Sequence, residues 1–424
     1  MLRHTLPIAS LLSGVALLLI GSGLLGTSLA VKGNAAGFSD TLLGLLGSGY
    51  FAGYLLGGFI ARPLIMRVGH IRAFAFFATG LAGIALLHGL FVSPTTWIVL
   101  RVLAGASVVA LYTLIESWLN DQTPQAIRAR IFAIYMIVNQ VSLAAAQQIL
   151  RFDAGEALTA FVISALCVCF AVMPVAATPM MQPTAGRAGS FSPLRILRRE
   201  PVAAISAVLT GMAIGAFWSM GPVFASRAGY GEHWVAMFMS AGILGGALLQ
   251  WPLGALSDRG DRRTTLALAA LMAALCALPL LLSDHGETLA IAAIALFGGF
   301  AFAIYPMVVA LLVDHLAPED IVDGSNAVLL LYGVGAALGP IAVGLLMSVL
   351  GTSALALHFT ATHLLLALTA WLASRRKHEE RAEHGHFVPM MRTSAAALDI
   401  MPATEPAPHA DSGPAPSTRA PGQA

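Results

Sequence analysis

Twelve apolar stretches, each about twenty residues long, constrain this chain more than any other feature of its sequence. A helix rising 1.5 Å per residue needs about 20 residues to cross the hydrocarbon core of a bilayer, and inside that core the backbone amides must be paired within the helix. The stretches run from Leu6 to Ala30, Thr41 to Ala61, Ala73 to Val92, Trp97 to Leu119, Ile131 to Leu150 and Ala157 to Thr178. A second set runs from Val202 to Ala225, Trp234 to Leu256, Thr265 to Leu282, Thr288 to Val313, Asn326 to Leu350 and Ala354 to Ala373. Charged residues make up only 10% of the chain, against about 25% in an ordinary soluble domain, so a water-soluble fold could not cover its own core. The expected class is an all-α membrane protein with twelve transmembrane helices in two pseudo-symmetric six-helix halves.

The first stretch, with Arg3 before it and Thr27-Ser-Leu-Ala30 at its end, imitates a cleavable signal peptide. Its apolar run exceeds the usual 7 to 15 or so residues, and eleven spans follow, so it is read as a span. The three cysteines lie in apolar runs and read as packing residues, with no redox or metal framework.

Positive charge sets the orientation. With the N-terminus inside, 19 of the 23 lysines and arginines fall in segments on the inner side, leaving Lys32, Arg101, Arg151 and Arg227 elsewhere. That bias predicts a multi-pass protein of a bacterial-type inner membrane, with both termini cytoplasmic. The expected divisions are a first half over 1–178, a cytoplasmic connector over 179–201, a second half over 202–373 and a tail over 374–424. The Pro/Ala-rich tail reads as disordered.

The halves echo one another. Arg62-Pro-Leu-Ile-Met-Arg-Val-Gly-His-Ile-Arg72 follows span two as Gly254-Ala-Leu-Ser-Asp-Arg-Gly-Asp-Arg-Arg263 follows span eight, with Arg67 and Arg259 192 positions apart. Pro124-Gln-Ala-Ile127 and Pro318-Glu-Asp-Ile321 recur at 194. Two landmarks at nearly one offset indicate an internal duplication.

Gly254 to Arg263 resembles the G-x-L-A-D-R-x-G-R-[KR] loop of the major facilitator superfamily, and Ile98-Val-Leu-Arg101-Val-Leu-Ala-Gly105 resembles that superfamily's fourth-helix arginine motif. Ser48-Gly-Tyr-Phe-Ala-Gly-Tyr54, Arg67-Val-Gly-His-Ile-Arg72 and Ile115-Glu-Ser117 are similar to its YcaD-like bacterial branch, which brings no defined substrate. The resemblance implies an alternating-access secondary transporter without a cofactor. It also implies a cytoplasmic latch at Asp258, Arg259 and Arg262 that favours the outward-open state, in a gating loop where Gly254 allows close helix approach; topogenic charge alone is the competing account. Asp261 departs from the pattern, and the first-half copy retains only Arg67, Gly69 and Arg72.

Arg101 and Glu116 are the formally charged residues well inside a span. Burying such a group near the midplane costs about 2.5–3.5 kcal/mol on insertion scales, so it faces protein or a watery cavity. Fifteen residues apart on one helix, they are offset by about 60° and about 22 Å, an arrangement that lets both face one cavity without pairing. Resemblance to the superfamily makes Arg101 a candidate contact for a substrate anion or an influence on proton transfer. Glu116 reads either as a proton carrier or as a carboxylate that reaches the interface and braces Arg128 or Arg130.

Span five carries Asn139, Gln140 and Gln147, suited to lining a solute path and equally to interhelical hydrogen bonds. Gly339-Pro340 in span eleven reads as a packed kink. Family resemblance draws helices one, four, seven and ten to the cavity, and with them Ser22, Thr27, Trp218 and Tyr305. Tyr50, Tyr54 and Tyr332 could stack on a solute, although packing is their commoner use. His358 and His363 sit about 140° apart around their helix and make no metal pair. The acids Asp314, Glu319, Asp320 and Asp323 could partner the arginine loops. No phosphate-binding loop or catalytic constellation is found. The expectation is therefore a non-enzymatic, monomeric carrier that exports a small organic solute, with proton coupling through Glu116, no metal and no nucleic acid. A transporter-like sensor or scaffold that signals through its tail is the alternative.

Overall fold

The computed structural model describes residues 2–152, 158–178, 198–228, 231–316 and 320–375. Most of the expected connector and tail, together with Pro318 and Glu319 of the repeated loop motif, lie outside these residues. Among the described residues twelve helices are long and apolar enough to cross a membrane. They are α1 (Leu2–Ala35), α2 (Asp40–Val68), α3 (His70–Leu90), α4 (Pro94–Gln122), α5 (Arg128–Ile149) and α6 (Thr159–Ala177), then α7 (Pro201–Arg227), α8 (Gly231–Arg259), α9 (Arg262–Ala277), α10 (Glu287–Val313), α11 (Ile321–Leu350) and α12 (Ser353–Ser374).

Several helices overrun the apolar stretches that announce them, because polar residues are helix-compatible once outside hydrocarbon. Thus α2 carries Arg62 and Arg67 within its last turns, and Arg72 falls in the first turn of α3. The expected loop there shrinks to Gly69, whose φ of 83° lies in the left-handed region that side chains avoid. The matching junction between α8 and α9 uses different chemistry. Asp261 accepts hydrogen bonds from the Thr264 amide at 3.0 Å and its hydroxyl at 2.6 Å, capping α9. The acid that departs from the family pattern is thus a helix cap. Ser39 caps α2 and Ser93 caps α4 in the same manner, with Pro94 opening the latter.

The duplication reappears in the packing. Within the first set α2 packs on α4, α1 on α5 and α6, and α3 on α4 and α6; within the second, α8 packs on α10, α7 on α11 and α12, and α9 on α10 and α12. Glycines make the closest approaches. A Cβ on Gly53 would lie 1.9 Å from the Val102 carbonyl oxygen, and one on Gly245, 192 positions later, would lie 1.9 Å from that of Ala295. Likewise Gly105 meets the Tyr50 carbonyl and Gly298, 193 positions later, that of Gly242. Without a hydrophobic drive between helices in lipid, such backbone proximity lets dispersion and weak polar contacts hold the bundle.

Across the two sets, α2 packs against α11 and α7, α5 against α8, and α1 against α7. The α2–α11 seam is built from Gly44, Pro340 and Gly344, with backbone atoms of one helix where a side chain of the other would stand, while Gly47 meets the Ser219 side chain of α7 and the Pro340 ring. Ser48 Oγ accepts from the Ile341 amide at 3.2 Å, directly after the proline. Gly339 faces the other way, where its Cβ would lie 2.0 Å from the Met212 carbonyl of α7. Gly339-Pro340 is therefore the point at which α11 touches both neighbours.

Candidate functional site: a cavity shared by the two helix sets

A cavity of about 130 Å³ lies between the two sets, well above the roughly 10–15 Å³ that a single water needs. Its first-set wall includes Ser22 and Thr27 of α1, Tyr50, Phe51 and Tyr54 of α2, and Arg101, Val108 and Tyr112 of α4. Thr210, Ile214 and Trp218 of α7, Phe302 and Tyr305 of α10 and Tyr332 of α11 form the other. Helical spacing explains the membership. Arg101, Val108 and Tyr112 are separated by seven and eleven residues, which returns each to within about 20° of the first. On α7 the liners recur every fourth residue.

Arg101 is 8% exposed. Its Nε donates to the Leu46 carbonyl at 3.3 Å, and its guanidinium carbon lies 4.4 Å from the centre of the Tyr50 ring. The ring face offers partial negative charge to the cation. Among the described residues no carboxylate lies within ion-pair distance of Arg101, and no acid lines the cavity. The opposite wall is aromatic, with Trp218 edge-on to Phe302 at 6.2 Å and Tyr305 edge-on to Tyr332 at 4.8 Å.

Glu116 does not share this cavity, contrary to the expectation that both charges of α4 face it. The 60° offset is enough to turn it toward α5, where Tyr135 Oη donates to its Oε1 at 2.6 Å. Both residues are fully buried. The cavity position one turn earlier belongs to Tyr112. Glu116 therefore does not reach the interface, and Tyr135 is its partner in the interior of the first set.

Nor do the amides of span five line the cavity. Gln147 Oε1 accepts from Thr27 Oγ1 at 2.6 Å and ties α5 to α1. Asn139 Nδ2 donates to the Tyr135 carbonyl at 2.7 Å, and Gln140 is buried at 5% exposure. Gln147 is thus satisfied by a neighbouring helix, whereas Oδ1 of Asn139 and Oε1 of Gln140 are buried without a partner among the described residues. From α5 only Leu143 is among the liners.

The arginine motifs lie at the end of the bundle where α1 begins. Arg262, 4% exposed, pairs with Asp258 at 2.9 Å and with Asp314 at 2.6 Å, joining the ends of α8, α9 and α10. Arg263 lies 3.9 Å from Glu200, and the exposed Arg199 3.5 Å from Asp320. These contacts link the ends of α8, α9 and α10 with one another and with the residues just before α7. Arg259, Arg67 and Arg72 are exposed, and Gly254 is buried.

Contacts between the sets gather at the opposite end. Arg227, closing α7, meets Asp40 of α2 at 2.5 Å and donates to Asn34 of α1 at 2.9 Å, while Asn34 also donates to Ser226 at 3.1 Å. Gln148 of α5 donates to Ser240 of α8 at 2.6 Å, and Ser240 donates to the Ala144 carbonyl at 3.1 Å. Sequence reading singled out neither cluster, although Arg227 stood out as a positive charge on the sparsely charged side.

Comparison with known proteins agrees with this architecture. A sequence model of the Major Facilitator Superfamily matches residues 11–328 and 238–399, and the chain belongs to that superfamily of transporters. It is 27% identical over 359 residues to the "Uncharacterized MFS-type transporter YcaD" of Salmonella typhimurium, covering 82% of this chain and 90% of that protein. The protein of the same title from Escherichia coli O17:K52:H18 is 26% identical over 357 residues, with the same coverage. Among solved structures, the nucleoside transporter NupG superposes with a TM-score of 0.73 at 14% identity, covering 89% of this chain and 100% of that one. A bacterial homolog of the human lysosomal transporter Spinster, inward-facing and occupied, gives 0.69 at 18% identity, covering 87% and 96%. At such identities these two structures speak to the fold.

Proposed function

We propose that the chain carries a small organic solute by alternating access, as a monomer in a bacterial-type inner membrane with both termini in the cytoplasm. The observation that most supports this is a cavity whose two walls belong to different helix sets, with the sets fastened together at the end away from the arginine motifs. With the arginine-rich end in the cytoplasm, the fastened end is external and the cavity takes solute from inside. Release outward then requires the Asp40–Arg227 and Gln148–Ser240 contacts to open. Export is accordingly the proposed direction. Glu116 is the proposed proton site: it is a carboxylate fully buried in the first helix set, and its Oε1 accepts from Tyr135 Oη across α4 and α5.

Proteoliposomes containing the full chain, assayed against a library of metabolites and drugs with and without an inside-acid pH gradient, test the reading. Saturable accumulation of at least one solute, lost when the gradient is collapsed, is expected. Protein-dependent flux that ignores the gradient would remove the proton-coupling part, and no protein-dependent flux at all would overturn the whole.

A further inference from the structure

We infer that the solute is an organic monocarboxylate with a flat aromatic body, its carboxylate seated on Arg101 and its ring against Trp218, Phe302 and Tyr305. The inference rests on the transporter reading of the same cavity and narrows it.

Charge is the first argument. A guanidinium at 8% exposure, without a carboxylate within ion-pair distance among the described residues, is a buried cation short of a counter-charge. The Tyr50 ring at 4.4 Å offsets part of that deficit through its face. It offers no acceptor for the two parallel N–H donors of the guanidinium fork, which a carboxylate matches. Stoichiometry then limits the class. Arg101 is the sole Lys or Arg among the cavity liners, so one negative charge neutralises the site and a phosphate dianion would bring a second with no partner. An amine would meet a positive wall and no acid.

Shape is the second argument, and it comes from the other helix set. Trp218 and Phe302 stand edge-on at 6.2 Å, as do Tyr305 and Tyr332 at 4.8 Å. Such arrays extend favourably over another planar ring. Thr210 on the same wall is fully buried, and its hydroxyl has no partner among the described residues. The two walls thus ask for two ends of one molecule, an anionic end and a planar apolar one.

Equilibrium dialysis of the purified full chain in lipid nanodiscs against 3-phenylpropionate, its neutral amide 3-phenylpropanamide and the cation 3-phenylpropylamine tests this without any substitution. The acid should bind saturably and at least tenfold more tightly than the amide, and the amine should not compete. Arg101→Gln should bring the acid down to the affinity of the amide while leaving the amide unchanged. Trp218→Leu should weaken acid and amide by the same factor. An amide or amine that binds as well as the acid, acid preference that survives Arg101→Gln, or no saturable binding of the acid each overturns the inference. Accumulation of a neutral or cationic solute by proteoliposomes would defeat it while sparing the transporter reading. Tight acid binding without flux of any solute would do the reverse.

Discussion

Asp40 at the start of α2 and Arg227 at the end of α7 stand 2.5 Å apart, their side chains 14% and 29% exposed. This ion pair joins the two helix sets at one mouth of the central cavity. Partly shielded pairs lie between exposed ones, worth about 0.2–1 kcal/mol, and buried ones, whose rupture costs about 3–5 kcal/mol. Arg227→Gln is therefore expected to shift the balance toward opening at that mouth by about 1–2 kcal/mol, or about five- to thirtyfold in population. Labelling of a cysteine placed at Thr27, by an impermeant thiol reagent added from outside, measures it. The charge swap Asp40→Arg with Arg227→Asp should return labelling toward the parent level, and unchanged labelling in Arg227→Gln would deny the pair a gating part.

Glu116→Gln keeps a hydrogen-bond acceptor for Tyr135 but cannot ionise. Folding and downhill exchange of solute should persist while gradient-driven accumulation disappears. Flux in proteoliposomes with and without a pH gradient separates the two, and a variant that still concentrates solute would show that the carboxylate is structural.

Arg262→Gln leaves Asp258 and Asp314 facing each other without the cation between them. A loss of about 3–5 kcal/mol is expected on breaking so buried a group, read as a lowered melting temperature in detergent. Adding Asp314→Asn should recover part of it. Arg67→Gln and Arg259→Gln, at exposed positions, should change stability by no more than about 0.5 kcal/mol.

The glycine contacts separate by position. Gly53→Ala and Gly245→Ala each drive a carbon to 1.9 Å from a carbonyl oxygen, and a cost of about 1–3 kcal/mol is expected for such overpacking. Gly58→Ala, with nothing within 4 Å of the new carbon, should gain up to about 1 kcal/mol from helix propensity. Thermal unfolding of the three variants side by side checks the contrast.

How much of this was legible beforehand depends on whether the deciding partner sits on the same helix. The twelve spans were readable because hydrocarbon thickness imposes its length on each helix alone. The duplication was readable in Arg67 and Arg259, and the same offset to within one residue governs Gly53 with Gly245 and Gly105 with Gly298. The cavity face of α4 was available from the spacing of Arg101, Val108 and Tyr112, but attention to charge favoured Glu116, which the angular offset turns away. The role of Gln147 was out of reach, since Thr27 comes from a helix whose placement no local pattern encodes, whereas Asp314 was readable as a partner for the arginine loops and pairs with Arg262. Asp261 was missed for a different reason: its Asp-x-x-Thr spacing is a capping signal, obscured by comparison with a motif that has glycine there.

Arg101 and Tyr50 travel with one set of helices, Trp218 and Phe302 with the other. The distance between these walls is consequently a property of the angle between the sets and of neither set alone, much as the gap of a caliper belongs to both jaws. A molecule long enough to touch both walls at one angle is too long or too short at another. Recognition here is thus a measurement of length as well as of chemistry, and the reading changes as the bundle moves.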